Sequence, residues 1–276
     1  MVIALALLAA GVYGAADFLG GLASRRTPAT AVVVISQIAG VAVLAIAWFV
    51  LPGKFYPSDV LWGMLTGLFG GAAIVSLYAA LAIGRMGVIS PITAVLGASV
   101  PVLAGFALGE RPAAPALAGI ACTFLAVALV SANVETRSIS LHEPGLGLAL
   151  FSGLCIGALF VTLSRGHHDS GLALLAVTRA TSVVSLIGYA LVRRESLRPA
   201  PGSLRLIFAA GAFDMLANVL YIAAARFGLL SLVAVLTSLY PASTVFLARV
   251  VLQERLTPSQ WAGVGLAACG IGLIAL

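Results

Sequence analysis

The chain is a succession of apolar runs, each about as long as a bilayer is thick. Ten can be marked off, at 2–22, 30–51, 60–83, 88–108, 114–133, 145–164, 171–192, 204–225, 229–251 and 259–276. A helix needs about 20 mostly apolar residues to cross the hydrocarbon core, and a membrane strand only about half as many. The runs therefore predict helices, which satisfy every backbone polar group within one segment. The breaks between them, such as "SRRTPAT", "GERPAAP" and "RRESLRPAPGS", hold the Pro, Gly and charged residues expected of helix ends at headgroup depth. The first run, "MVIALALLAA", lacks a basic leader segment and continues into "GVYGAADFLGG", so it is expected to be a spanning helix rather than a cleaved peptide. The expected fold class is an all-α membrane protein with ten transmembrane helices.

Composition agrees. Hydrophobic residues make up 62% of the 276 and charged residues 9%, against about 25% charged in a soluble domain. The net charge of +6 comes from Arg residues in the breaks. There they act as orientation signals rather than as a nucleic-acid surface. Cys122, Cys155 and Cys269 lie far apart inside apolar runs, without the spacing of a disulfide framework or zinc site. His167-His168-Asp169 has metal-ligating residue types but sits in a break without further ligands. Neither a metal nor a cofactor is expected.

The chain also repeats itself. "SPITAVLGASVP" (90–101) lies over "SLVAVLTSLYP" (231–241), and "GERPAAPALAG" (109–119) over "QERLTPSQWAG" (253–263), at an offset of about 140 to 144 residues. Pro101 precedes Glu110 by nine residues and Pro241 precedes Glu254 by thirteen, so the first copy of that helix is about one turn shorter. The expected units are 1–133 and 145–276, joined by a linker at 134–144. Five crossings per unit would insert the second copy upside down. Two such copies are related by a pseudo-two-fold axis in the membrane plane, an arrangement of alternating-access carriers with the substrate site near the midplane.

These units, each with Pro, Glu-Arg and Gly around its fourth and fifth helices, resemble the EamA family of the drug/metabolite transporter superfamily. The resemblance covers the whole chain and is strongest in "LTSLYPASTVFLARVVLQERLTPSQWAGVGLAACGIGLIAL"; "YGAADFLGGLASRR" adds to it. It implies a ten-helix carrier of small metabolites, often an exporter, with both termini in the cytoplasm. The Arg distribution points the other way. Arg25, Arg26, Arg85, Arg137, Arg193, Arg194, Arg198, Arg205, Arg249 and Arg255 fall on one side, against Lys54, Arg111, Arg165 and Arg226 on the other, a bias that would place the termini outside.

Three ionisable groups lie well inside apolar runs: Asp17, Arg179 and Asp214. Each costs on the order of 2.5–3.5 kcal/mol at mid-bilayer, so the three must face the bundle interior, one another or water. Asp214, Asn218 and Tyr221 recur at i, i+4 and i+7, and Tyr13 and Asp17 at i and i+4, each set on one helix face. One guanidinium can neutralise only one of the two carboxylates. The one left over is a candidate proton carrier, with Arg179 or Asn218 engaging a polar substrate group; the alternative is an Asp–Arg pair that only ties helices together. Pro101 and Pro241 are expected within helices, each freeing the carbonyl four residues back, at Gly97 and Thr237. A fixed kink or a hinge lining the cavity follows, with Thr237, Ser238 and Tyr240 at hand. Glu110-Arg111 and Glu254-Arg255 are expected to anchor helix ends.

The chain is thus expected to be a secondary transporter of the bacterial cytoplasmic membrane. Its cargo would be a small polar or amphipathic metabolite such as an amino acid, moved by alternating access, with protons as coupling partner. Efflux of hydrophobic cations and a non-transporting membrane subunit are the alternatives, and a homodimer is open. No GxxxxGK[ST] is present, no run contains a His, and GxSxG and HExxH are absent, which argues against ATP-driven transport and against an intramembrane enzyme.

Overall fold

The computed structural model describes residues 1–50, 54–83, 86–131, 144–167, 170, 172–252 and 258–275. Every regular element among them is a helix: α1 (Val2–Ser24), α2 (Ala29–Val50), α3 (Pro57–Ile83), α4 (Met86–Ala107), α5 (Ala114–Ser131), α6 (Leu146–Leu163), α7 (Ala173–Arg193), α8 (Leu204–Ala225), α9 (Leu230–Thr237), α10 (Tyr240–Leu252) and α11 (Pro258–Ala275). Six of them, α1 to α3 and α6 to α8, are long and apolar enough to cross a membrane. Shorter apolar stretches occupy Ile92–Ala107, Ala114–Val127 and Leu230–Thr244.

One run does not form the single helix expected of it. Residues 229–251 divide into α9 and α10, with Ser238 and Leu239 in a turn between them. Pro241 gives the reason: it has no N–H for the carbonyl of Thr237, and its ring would crowd that turn of a continuing helix. α9 ends instead with an α-type bond, Ser238 N–H to Ala234 O at 2.9 Å, followed by an i→i−3 bond, Leu239 N–H to Leu236 O at 3.3 Å. Pro241 then falls in the first turn of α10, where a missing N–H costs nothing. It starts a helix rather than kinking one. α4 passes through Pro101 without interruption.

Packing runs across the midpoint of the chain. α1 lies on α8 and α3 on α6; α2 lies on α8 and α3 on α7; α4 lies on α6, and α1 on α9 and α10; α5 lies on α11. With α9 and α10 counted together as the fourth helix of the second half, exchanging the halves turns each of these contacts into another one or into itself. Glycines make two of them possible. A Cβ on Gly67 would strike the backbone of Thr178 on α7, and one on Gly211, 144 residues later, would strike the backbone of Ser36 on α2. Close approach of helix backbones through small residues is the main source of van der Waals contact in a membrane.

The connections are tied in matching places. At the start of α3, Asp59 accepts the His167 N–H at 2.8 Å, and the Tyr56 and His167 rings stack 3.7 Å apart. At the start of α8, again 144 residues on, the Ser203 and Thr27 hydroxyls lie 3.1 Å apart. Glu110 is an anchor, though of another helix than its own. Its carboxylate crosses to the second half and accepts from Leu230 N–H at 2.7 Å, Ser231 N–H at 3.1 Å and Ser231 Oγ–H at 2.5 Å. These backbone groups open α9, whose own N-cap residue is the apolar Leu229. Glu254-Arg255, His168 and Asp169 lie outside the described residues, as do Arg85 and Arg137. Among the described residues no three metal-ligating side chains come together.

Candidate functional site

Asp214 lies half-way along α8, and its hydrogen-bond partners come from α7 and from α8 itself. Arg179 of α7 donates from Nη2 to Asp214 Oδ2 at 2.6 Å. Asn218, one turn further along α8, donates from Nδ2 to the Asp214 carbonyl at 2.7 Å and to Oδ1 at 3.4 Å. The guanidinium is thus spent on one carboxylate. Asp17 on α1 is half-buried and has no hydrogen bond or ion pair among the described residues.

All four side chains line one cavity, with Tyr13 and Tyr240 beside them. Its water-accessible volume is about 60 Å³, against roughly 10–15 Å³ for a single water measured the same way. Among the described residues, ten that line it come from each half of the chain. The walls are mainly apolar: Ile74, Leu77, Leu159 and Phe160 among others, with Gly67 and Gly70 presenting bare backbone. Phe160 stands edge-on to Tyr13, with ring centroids 6.1 Å apart.

Polar atoms without partners concentrate here. Tyr13 Oη, Gln37 Oε1, Arg179 Nε, Ser182 Oγ and Tyr240 Oη are all buried and unbonded, and all five residues line the cavity. Buried polar groups are ordinarily satisfied, because an orphan forfeits about 1–3 kcal/mol. Five in residues around one space leave unmet hydrogen-bonding capacity in the cavity wall.

A family model described as the EamA-like transporter family matches residues 1–132 and again residues 143–276. The chain belongs to the EamA-like transporter family. It is therefore a multi-pass membrane transporter of the drug/metabolite type, and the family's members are transporters rather than enzymes. A solved structure described only as a crystal structure of a protein shares the fold, with a TM-score of 0.79 at 17% identity over 99% of this chain and 95% of that one. No curated protein sequence matches.

In this EamA-like chain the expected site residues divide into two groups. Tyr13, Asp17, Arg179, Asp214, Asn218 and Tyr240 come together at the cavity. Tyr221 does not join them. It is fully buried behind the wall, stacked on Phe160 at 4.5 Å, with its hydroxyl 3.5 Å from the Phe160 carbonyl. The helix period places Tyr221 on the face of Asp214, but Phe160 of α6 closes the cavity before that turn is reached. Pro101, Pro241, Thr237 and Ser238 are buried and also stand off the cavity; the Ser238 hydroxyl bonds back to Val235 O at 2.7 Å. The break between α9 and α10, flanked by Thr237, Ser238 and Pro241, sets Tyr240 at the cavity, so their part is positional; Pro101 lies within the uninterrupted α4.

Sequence reasoning missed Ser36, Gln37, Tyr78 and Phe160. Gln37 carried a signal, as the one carboxamide in its apolar run. Phe160 carried none, since nothing separates it from its apolar neighbours until α6 is packed.

Proposed function

We propose that the protein is a secondary active transporter, an exporter of a small polar or amphipathic metabolite across the bacterial cytoplasmic membrane, working by alternating access. In this proposal α9 and α10 together form one interrupted span, giving ten spans in two units, 1–133 and 145–276. With five spans each the units insert in opposite orientation, and both termini lie on the same side of the membrane. The central cavity is the cargo site, opened to one side and then the other as the units rock. Coupling is to protons through Asp17, because Asp214 is already held by Arg179.

The observation that carries the proposal is the cavity itself: lined in equal number by the two halves, at mid-helix depth, with an unpaired carboxylate and five orphan polar atoms. A scaffold that only packs has no use for unsatisfied polar groups in its interior, and it would be more stable without them.

The test is transport in proteoliposomes with an imposed pH gradient, for wild type, Asp17→Asn and Asp214→Asn. Wild type should accumulate cargo in response to the gradient. Asp17→Asn should lose that response, and Asp214→Asn should lose transport by freeing Arg179. Transport and pH dependence unchanged in both variants would refute the proposal.

A further inference from the structure

We propose that the cargo is a small organic ammonium ion, an amine on an apolar or aromatic body, whose charged end pairs with Asp17. This rests on the transporter function proposed above and names the chemical class that its cavity accepts. Three observations fix the sign of the charge.

The first is balance. Among the described residues, Asp17, Asp214 and Arg179 are the acidic and basic ones lining the cavity. Arg179 and Asp214 are in contact at 2.6 Å, so their fields largely cancel at a distance. Asp17 is left as the cavity carboxyl without a basic partner, in surroundings where an isolated charge is costly and a counter-ion correspondingly welcome.

The second is what the cavity shows and what it hides. The Arg179 side chain is 8% exposed and that of Asp214 is 23% exposed. Arg179 Nε is sealed off altogether, whereas Asp17 remains half-buried and open. An entering carboxylate would meet two carboxylates in front of a guanidinium that is already engaged. An entering ammonium meets the Asp17 carboxylate without an engaged cation on it, and hydroxyl and amide oxygens that can accept beside it.

The third is the walls. Tyr13, Tyr78, Phe160 and Tyr240 contribute aromatic rings, whose faces attract cations most strongly where water is excluded. Val33, Ile74, Leu77, Ile156, Leu159 and Ala210 add aliphatic wall, which suits an apolar body behind the charged end. A neutral guest would leave Asp17 unpaired, and a quaternary or protonated amine would not.

The experiment is a charge series at constant size on the purified protein in detergent. Phenethylamine and hexylamine are compared with phenethyl alcohol, 3-phenylpropionate and phenylalanine by thermal shift, and binding is then measured by isothermal titration. The amines should raise the melting temperature and the other three should not. Asp17→Asn should weaken amine binding at least tenfold while melting, unliganded, at or above the wild-type temperature. Should that variant not fold, the wild-type series decides alone. A stronger response to the alcohol, the carboxylate or the zwitterion overturns the assignment. So does no response to either amine, or an unchanged amine affinity in Asp17→Asn. Counterflow in proteoliposomes separates this from the function it rests on. Amine binding without exchange across the bilayer would keep the ammonium site and remove transport. Exchange of another solute without amine binding would keep transport and remove the ammonium site.

Discussion

Glu110 offers a perturbation whose cost can be worked from geometry. Leu230 and Ser231 open α9, and the first backbone N–H groups of a helix have no partner within it. Ordinarily a Ser, Thr, Asp or Asn at the N-cap supplies an acceptor, but α9 has Leu229 there. Glu110 does the work from the other half of the chain with three bonds, at 2.7, 3.1 and 2.5 Å. A hydrogen bond to a charged group contributes about 1.5–3 kcal/mol, and loss of a cap costs about 0.5–2 kcal/mol. The site is part-buried, so partial rehydration discounts the sum, and Glu110→Ala should cost about 3 kcal/mol. At about 2–4 °C per kcal/mol for a chain of this size, the melting temperature in detergent should fall by about 6–12 °C. Glu110→Gln keeps an acceptor but loses the charge, and should fall about half as far. A double-mutant cycle with Ser231→Ala should return a coupling energy of about 1–2 kcal/mol, because the two side chains share one bond. A melting temperature for Glu110→Ala within about 2 °C of wild type, or zero coupling to Ser231, would refute the reasoning.

Further outcomes follow from the packing and the site. Arg179→Met and Asp214→Leu should each destabilise by about 3–5 kcal/mol, because each leaves one buried charge unpaired; the double variant should recover much of the loss, as chemical denaturation would show. Additive effects would mean that the pair is not coupled. Gly211→Ala should split α8 from α2, lowering the yield of monodisperse protein in size-exclusion chromatography, since its Cβ would overlap the Ser36 backbone. Gly188→Ala in α7 has nothing within 4 Å and should be neutral or stabilising by up to about 1 kcal/mol. Tyr221→Phe should melt within about 1 °C of wild type, because its 3.5 Å hydrogen bond is weak. Tyr221→Ala, by removing the ring stacked on Phe160, should cost about 3–5 kcal/mol.

Much of the fold was legible because lipid leaves few choices. A run of about twenty apolar residues has one economical conformation there, and the Pro, Gly and charged residues between runs mark the ends. α1, α3, α7 and α8 fall within a few residues of the runs that predicted them. The half-chain repeat was equally open to inspection, since it rests on residue identity at a fixed offset. Gly67 and Gly211 show what that offset preserves, a bare place on a helix where its neighbour's backbone must pass. The run at 229–251 read as one helix because apolar character alone does not reveal a break. Pro241 was visible, but a proline can kink a helix or begin one, and the outcome depends on what holds the segment before it. Here that is Glu110, which lies 120 residues before Leu230.

By itself the sequence determined that the chain enters a membrane, that its two halves are copies, and that Asp17, Arg179 and Asp214 belong inside. The repeat rests on residue identity at a fixed offset; the other two follow from a cost that no local environment removes, the transfer of charge or unpaired backbone into hydrocarbon. Tertiary structure alone decided that Arg179 pairs with Asp214 and leaves Asp17 open, that Phe160 shuts Tyr221 out, and that Tyr240 reaches the cavity. Those outcomes turn on distances of a few ångströms between helices far apart in the chain. Helix periodicity fixes the direction of a side chain around its own axis, but not which neighbour stands there to meet it.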